Sequence, residues 1–174
     1  MHHPRLPLHV RVSAVRVSAS LLTAALAGAV LSGCSAAVDV APAADAANPA
    51  CARMMVALPD AIGDAKLRKT NSQATAAWGD PSQVVLRCGV NVPGPTTDRC
   101  VSVNGVDWVI KEADAAWTLT TFGRRPATEI LLTKDQETIS SATVLADLSG
   151  AAAKIPATGN CVGQEDLQNL PATK

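Results

Sequence analysis

The chain has 174 residues, with 15 basic and 15 acidic side chains and therefore a formal net charge of zero. It contains five cysteines, no tyrosine and three histidines, all of which precede residue 10. The length fits one domain of ordinary size, and the histidine positions exclude several catalytic mechanisms if the N-terminus is removed.

The first 33 residues have the pattern of an export signal. Three arginines, Arg5, Arg11 and Arg16, give it a basic beginning without any acidic residue. The stretch from 17 to 30 is apolar, and it is shorter than the roughly 20 residues that a membrane-spanning helix needs. We therefore predict a signal peptide over 1–33, and the lack of an Arg-Arg pair favours the general secretory route.

The sequence Leu-Ser-Gly-Cys at 31–34 matches a bacterial lipobox, in which cleavage before the cysteine accompanies attachment of lipid to its thiol. We predict that Cys34 carries a diacylglyceryl group, which supplies the two acyl chains that stable anchoring requires. The alternatives are an ordinary secretory signal cut elsewhere and a membrane anchor that is never cut.

Cleavage before Cys34 leaves 141 residues (174 minus 33) and 12 basic residues (15 minus 3) against 15 acidic ones, a net charge of −3. A mildly acidic protein has no electrostatic reason to bind nucleic acid. It also lacks histidine, because His2, His3 and His9 lie in the removed part, which excludes Ser-His-Asp and Cys-His catalysis. Carboxylates and lysines alone would need large pKa shifts for acid–base work at neutral pH, so we expect no enzyme and no cofactor.

Residues 35–48 are rich in alanine and proline and show no apolar period. They predict a flexible tether over 34–48, which would reach about 45–50 Å when stretched. A single folded domain is expected over 49–165, followed by a C-terminal tail over 166–174.

The four other cysteines form an even set in an oxidising compartment, which predicts two disulfides. They are Cys51, Cys88, Cys100 and Cys161. Of the three possible pairings we favour Cys88–Cys100, which closes a short loop rich in proline and glycine, with Cys51–Cys161, which ties the ends of the domain. A zinc site of four thiolates is the alternative, but it lacks the usual C-x-x-C spacing.

A first helix is predicted to begin at Asn48 as N-cap and Pro49 as first residue. Its apolar residues at i, i+3, i+4 and i+7 are Cys51, Met54, Met55 and Leu58, and Pro59 ends it. We interpret this stripe as core packing rather than as a binding face.

From about residue 74 the pattern becomes that of β-strands, and Asn104-Gly105 predicts a two-residue type I′ hairpin. The predicted cross-strand pairs are Val103 with Val106, Ser102 with Asp107 and Val101 with Trp108. Further strands are expected over 84–88, 116–122 and 127–132, and a final helix over roughly 141–154. Together these elements predict an α+β fold, an antiparallel β-meander of about four to five strands packed against an N-terminal and a C-terminal helix.

Several motifs occur in the order seen in one family. They are WGDP at 78–81, LRCGV at 86–90, CVSVNGVDW at 100–108 and TFGR at 121–124, closed by a late cysteine. Over about 48–161 the chain resembles an uncharacterised actinobacterial family of secreted lipoproteins, a domain of unknown function. The resemblance implies a membrane-anchored envelope protein and implies no activity.

The candidate ligand-binding residues are Arg87, Asp107 and Arg124. We expect Asp107 on the uncovered side of the sheet, with the two guanidinium groups gathered near one edge, where they would suit carboxylate or phosphate groups. A structural Arg–Asp pair between strands is the interpretation that we prefer, with ligand binding as the alternative. The tryptophans, Trp78, Trp108 and Trp117, are interpreted as core residues rather than as a sugar-stacking surface.

The predicted function is that of a lipoprotein on the outer face of the cytoplasmic membrane. We expect a non-catalytic binding or accessory module for an envelope polymer, a lipid or a membrane-protein partner. The alternative is a hydrolase or transferase that uses carboxylates such as Asp107 and Glu129, which would require a deep pocket with both groups in it.

Overall fold

The computed structural model describes residues 36–134 and 139–162 of the chain. Within them, eight strands form one antiparallel sheet, and two helices pack on it. The helices are α1 (Pro49–Met55) and α2 (Ser141–Ala152), and the strands are β1 (Ala61–Ile62), β2 (Ala65–Arg68), β3 (Thr75–Trp78), β4 (Val84–Val90), β5 (Arg99–Val103), β6 (Val106–Glu112), β7 (Ala116–Thr121) and β8 (Ala127–Thr133). The signal peptide, Cys34 and the tail over 166–174 lie outside the described residues.

The strands follow the order β1-β2-β3-β4-β8-β7-β6-β5 across the sheet, and every neighbouring pair is antiparallel. The predicted α+β class is confirmed, whereas the predicted count of four to five strands is wrong. No strand was predicted at β1 or β2, and the β pattern predicted from about residue 74 was not resolved into a separate strand at β3. A two-residue turn at Gly63-Asp64 joins the short strands β1 and β2. Strand β3 is rich in alanine, a residue that is depleted in strands, so its composition did not indicate a strand.

One face of the sheet carries the core, because strand side chains alternate between faces. In β4, Val84, Leu86 and Cys88 are buried toward the helices, while Val85 and Arg87 between them are half-buried on the other face. The buried core also contains two large aromatic side chains, Trp78 and Trp108, in line with the core interpretation. The indole Nε1 of Trp78 donates a hydrogen bond to the carbonyl oxygen of Pro59 at 3.1 Å. We call the side with the helices the covered face and the other side the open face.

The β5–β6 hairpin and both helix starts agree with the predictions. Asn104 and Gly105 have φ angles of 50° and 77°, as a type I′ turn requires, and the three predicted cross-strand pairs are present. The Asn48 side chain accepts a hydrogen bond from the amide of Ala50, which makes it the N-cap of α1. The helix ends at Met55, four residues before the predicted stop at Pro59.

The stretch predicted as a flexible tether is instead bonded to the sheet over 36–48. Val38 forms a parallel bridge with Thr70, and its amide donates to the carbonyl oxygen of Lys69 at 2.8 Å. Further along, the amide of Asp45 donates to the carbonyl oxygen of Gly89 at 3.0 Å. A Cβ at residue 89 would lie 2.4 Å from the backbone of Asp45, so glycine permits this approach. The folded domain therefore begins earlier than the predicted residue 49.

All four predicted cysteines form disulfides, but the favoured pairing is wrong. The bridges are Cys51–Cys88, with 5.7 Å between Cα atoms, and Cys100–Cys161, with 6.1 Å. Cys88 and Cys100 cannot pair because β4 and β5 are separated by three strands, a distance of about 19 Å at ~4.8 Å per spacing. Cys88 instead points toward α1 on the covered face, where it meets Cys51.

Candidate functional site

The connection between β4 and β5 crosses the open face of the sheet. Its residues 91–98, which we call the crossover loop, pass over β8, β7 and β6 to reach β5. The loop contains two prolines, Pro93 and Pro95, on either side of Gly94.

A cavity of about 630 Å³ lies between the crossover loop and the open face, and we call it the crossover pocket. Residues 42–44 of the N-terminal segment complete its wall. Its floor consists of six side chains from four adjacent strands, namely Arg87, Glu129, Thr118, Thr120, Val109 and Lys111. Strand register sets this floor, since neighbouring strands pair Arg87 with Glu129, Glu129 with Thr120, Thr120 with Val109, and Thr118 with Lys111.

An ion pair lies at one end of the floor. Nε and Nη2 of Arg87 lie 3.0 Å and 2.5 Å from the same oxygen, Oε1 of Glu129. The side chains are 30% and 18% exposed, so the pair is shielded but reachable from the pocket. Among the hydrogen bonds between described residues, none uses Oε2 of Glu129, Nη1 of Arg87, or the hydroxyls of Thr118 and Thr120. The floor therefore offers both donors and acceptors to a ligand.

A second ion pair ties the end of the crossover loop to the floor. Nζ of Lys111 lies 3.2 Å from Oδ2 of Asp98, and the hydroxyl of Thr96 donates to the same oxygen at 2.8 Å. The Thr96 hydrogen bond, followed by the Lys111 ammonium, holds the pKa of Asp98 below its ordinary value of 3.8. Asp98 is thus a negative group at neutral pH.

The chemistry of this pocket is polar and mixed in charge. Two cations and two anions line it, so a ligand with both donor and acceptor groups fits better than a strongly charged one of either sign. Within residues 36–134 and 139–162, no group of three or more His, Cys, Asp or Glu side chains is placed to hold a metal ion.

Of the three predicted ligand-binding residues, Arg87 alone lines the pocket. Arg124 is instead 5% exposed and holds the C-terminal segment in place. Its Nη1 donates to the carbonyl oxygen of Ile155, and its Nη2 donates to that of Gly105 at 2.9 Å. Burial lowers the pKa of Arg124 from its ordinary value, and the charge of Asp107 opposes this shift.

Asp107 lies with Arg124, where its Oδ2 accepts a hydrogen bond of 2.7 Å from the amide of Cys161. Beside it, the amide of Thr158 donates to the carbonyl oxygen of Gly123 at 2.6 Å. We call Asp107, Gly123 and Arg124, together with residues 155–161, the C-terminal clasp. Asp107 lies on the open face, opposite to Trp108, as expected, but its carboxylate is half-buried and bonded to the backbone of Cys161. The expected gathering of Arg87 and Arg124 is wrong, because Arg87 lines the crossover pocket and Arg124 does not.

The preferred structural interpretation is supported for Arg124 and Asp107, which hold backbone groups. Arg87 also pairs with a carboxylate, although its partner is Glu129 on the adjacent strand. Sequence reasoning missed the pocket roles of Lys111, Thr118 and Thr120. Two features of the sequence could have indicated the pocket. Thr118 and Thr120 alternate with the apolar Leu119 in β7, and the connection between β4 and β5 is too long for a tight turn.

The fold and the pocket define a disulfide-bridged α+β domain with one open sheet face. A family model described as protein of unknown function (DUF3515) matches residues 10–159, and the chain belongs to this family. A search of curated proteins and a search of solved structures each found no match. The family description assigns no activity, so the function is argued below from the residues themselves.

In the part of the chain that the structure describes, no helix is long and apolar enough to cross a bilayer.

Proposed function

We propose that this protein is a lipid-anchored, extracytoplasmic binding module of the bacterial envelope, and that its crossover pocket takes a polar envelope ligand. The single observation that carries the ligand site is the floor of the pocket. There, an ion pair and two threonine hydroxyls keep hydrogen-bonding atoms directed at a cavity of about 630 Å³. Sites that bind small molecules usually combine such a cavity with a few polar groups.

The extracytoplasmic location is supported by the cysteines. Two disulfides use Cys51, Cys88, Cys100 and Cys161, which leaves Cys34 as the odd cysteine of the chain. Structural disulfides are typical of exported proteins. An odd cysteine directly after a signal-like segment is the position at which lipid would be attached, with the domain then held on the outer face of the cytoplasmic membrane.

A non-catalytic role is supported by the separation of the two carboxylates that the alternative requires. Glu129 lies in the crossover pocket, bonded to Arg87, while Asp107 lies in the C-terminal clasp, bonded to a backbone amide. A hydrolase or transferase that works through a pair of carboxylates needs both at one reacting group. The second carboxylate of the crossover pocket, Asp98, is paired with Lys111 and has a lowered pKa, so it is poorly suited to donate a proton at neutral pH. Binding without turnover therefore fits this arrangement better.

The ligand class follows from the floor of the pocket. Among the described residues, no aromatic side chain lines the pocket, so stacking on a sugar ring contributes little, and hydrogen bonds to charged groups contribute most. Muropeptides, the soluble fragments of peptidoglycan, carry carboxylates, an ammonium group and hydroxyls that match this floor. They are the probe that we would use first.

The binding test is a titration of the lipidated protein in detergent with muropeptides, followed by methyl and amide NMR. We expect shifts concentrated at Thr118, Thr120 and Glu129. Thr120→Val should weaken binding about tenfold, because one lost hydrogen bond is worth about 1–1.5 kcal/mol. The matched control is Thr97→Val, an exposed threonine of the crossover loop that does not line the pocket. Equal affinity in both variants would contradict the site.

The anchor has its own test. The mass of the N-terminal peptide should show cleavage before Cys34 and a diacylglyceryl addition, and Cys34→Ala should release the protein from membranes. If muropeptides are instead hydrolysed by the wild type and not by Glu129→Gln, the enzymatic alternative replaces the binding function.

A further inference from the structure

One edge of the domain exposes apolar side chains next to the N-terminal segment. Val56, directly after α1, is 87% exposed, and Leu67 on β2 is 39% exposed. Two grooves of about 400 Å³ each meet at the half-buried Met55, one lined also by Leu58 and Leu67 and the other by Val56. We call Met55, Val56, Leu58 and Leu67 the edge patch. Exposed apolar side chains that cluster in this way mark a contact surface more often than isolated ones do.

The chain enters the described domain beside this patch. The carbonyl oxygen of Ala36 accepts a hydrogen bond of 3.4 Å from Nη2 of Arg68, the residue after Leu67. Two residues later, Val38 forms a β-bridge with Thr70, which lies two residues after the end of β2. Cys34 precedes Ala36 by two residues, which is at most about 7 Å of extended chain. Acyl chains on that cysteine would therefore enter a bilayer within a short distance of the edge patch.

One lysine borders the patch. Lys69 is exposed and lines the groove that contains Leu67, whereas Lys66 alternates with Leu67 along β2 and belongs to the other face. Arg68 is bonded to Asp80 at 3.0 Å, so it is already paired. Asp60 and Asp64 are exposed on either side of β1 and offset the charge of Lys69, so apolar contact is the main contribution. A lysine beside apolar side chains can lie in a bilayer interface with its ammonium group among the headgroups.

We propose that the edge patch lies in the interface of the membrane when Cys34 is acylated, so that the domain has one fixed orientation on the bilayer. This inference rests on the lipid anchor of the proposed function. Leu67 pairs with the buried Trp78 and belongs to the covered side of the sheet, whereas the crossover pocket belongs to the open face. Membrane contact and ligand binding would thus use different surfaces.

The test measures how near individual methyl groups lie to the lipid. The full chain, exported and acylated in a bacterial host, is placed in nanodiscs of phosphatidylglycerol and phosphatidylcholine that contain a nitroxide-labelled lipid headgroup. We expect the methyl signals of Val56 and Leu67 to relax at least threefold faster than those of Leu131, a half-buried residue on the open face. Equal or faster relaxation at Leu131 would overturn the proposed orientation.

A double variant separates orientation from anchoring. Val56→Asp with Leu67→Asp changes side chains that are 87% and 39% exposed, and an unchanged indole N–H signal of Trp78, the cross-strand partner of Leu67, shows that the fold is retained. The acyl chains still hold this variant on the nanodisc. The enhanced relaxation at the Met55 methyl should fall at least twofold, whereas the control Thr97→Asp on the crossover loop should leave it unchanged. An unchanged Met55 signal in the double variant would overturn the membrane contact of the patch and leave the anchor intact. An unmodified Cys34 in the mass spectrum would instead overturn both the anchor and this inference.

Discussion

Two arginines of this protein, Arg87 and Arg124, look alike in the sequence and have different surroundings in the fold. Arg124 is buried, and its guanidinium donates to backbone carbonyls of two separate segments, Gly105 and Ile155. Arg87 is half-buried on the open face and bonded to one carboxylate oxygen of Glu129. The first arginine has both terminal nitrogens, Nη1 and Nη2, bonded to the protein, while the second keeps atoms available for a ligand.

The comparison shows how a charged side chain that stabilises the fold can be distinguished from one that is available to bind a ligand. Hydrogen bonds to buried backbone groups cost much to lose, since the carbonyls remain without a partner. A half-exposed ion pair contributes little to stability, because water screens it. We therefore expect the free energy of unfolding to depend on the C-terminal clasp and ligand affinity to depend on the crossover pocket.

The largest effect is expected from the disulfide of the clasp. Replacing Cys100 and Cys161 with serine should lower the free energy of unfolding by about 4 kcal/mol, because the bridge closes a loop of 61 residues. Urea unfolding under oxidising conditions measures this loss. Amide exchange at Thr158 should also speed up, because its bond to Gly123 depends on a fixed segment. The Cys51→Ser/Cys88→Ser variant is the control, with a similar loss from its 37-residue loop and no faster exchange at Thr158 under native conditions.

An intermediate effect is expected from the two arginines. Arg124→Met should lower the free energy of unfolding by about 2–3 kcal/mol, since two carbonyls lose their donor. The substitution also removes the buried Nε, which has no partner among the described residues, and this partly offsets the loss. Arg87→Met should cost about 1 kcal/mol or less. The neighbouring exposed Arg125→Met is the matched control and should change stability by less than about 0.5 kcal/mol. Equal losses for Arg87 and Arg124 would remove the distinction between clasp and pocket.

The smallest effect concerns acid. The pKa of Asp98 is lowered in the folded protein, so its contribution to stability is present above the unfolded value of 3.8 and is lost as the pH falls through the lower folded value. A carboxyl NMR titration should therefore place the Asp98 midpoint below 3.8. In Thr96→Val the midpoint should rise toward that value, because the largest cause of the shift is removed. A midpoint that stays unchanged in this variant would show that Thr96 does not hold the carboxylate.

The parts of the fold that depend on neighbouring residues were predicted from the sequence. Asn104-Gly105 determines its own turn, and the alternation of the flanking valines sets the register of the hairpin. The same is true of Asn48 and Pro49 at the start of α1. The β1–β2 hairpin was also accessible, because Gly63-Asp64 is a known turn pair, but its strands are too short to show alternation.

The parts that depend on strand order were not predictable in this way. The pairing of Cys88 follows from its distance to β5, which is set by the insertion of β8, β7 and β6 between them. The crossover pocket has the same origin, because its floor joins β4 to β6, β7 and β8, three consecutive strands that follow the crossover loop in the sequence. The ordered conformation of residues 36–48 depends on backbone hydrogen bonds to Lys69 and Gly89, and amino-acid composition does not reveal such bonds.

The bonded N-terminal segment would limit where a lipid-anchored form of the protein can work. If Cys34 carries lipid, one residue, Ser35, rather than fourteen separates the acylated position from the described fold. A stretched linker of about 45–50 Å would let the domain sample much of the space above the bilayer. The short one would confine it to a layer on the order of 35 Å thick, the diameter of a domain of this size. Its ligands would then have to arrive in that layer, and one copy would reach new areas only by lateral diffusion.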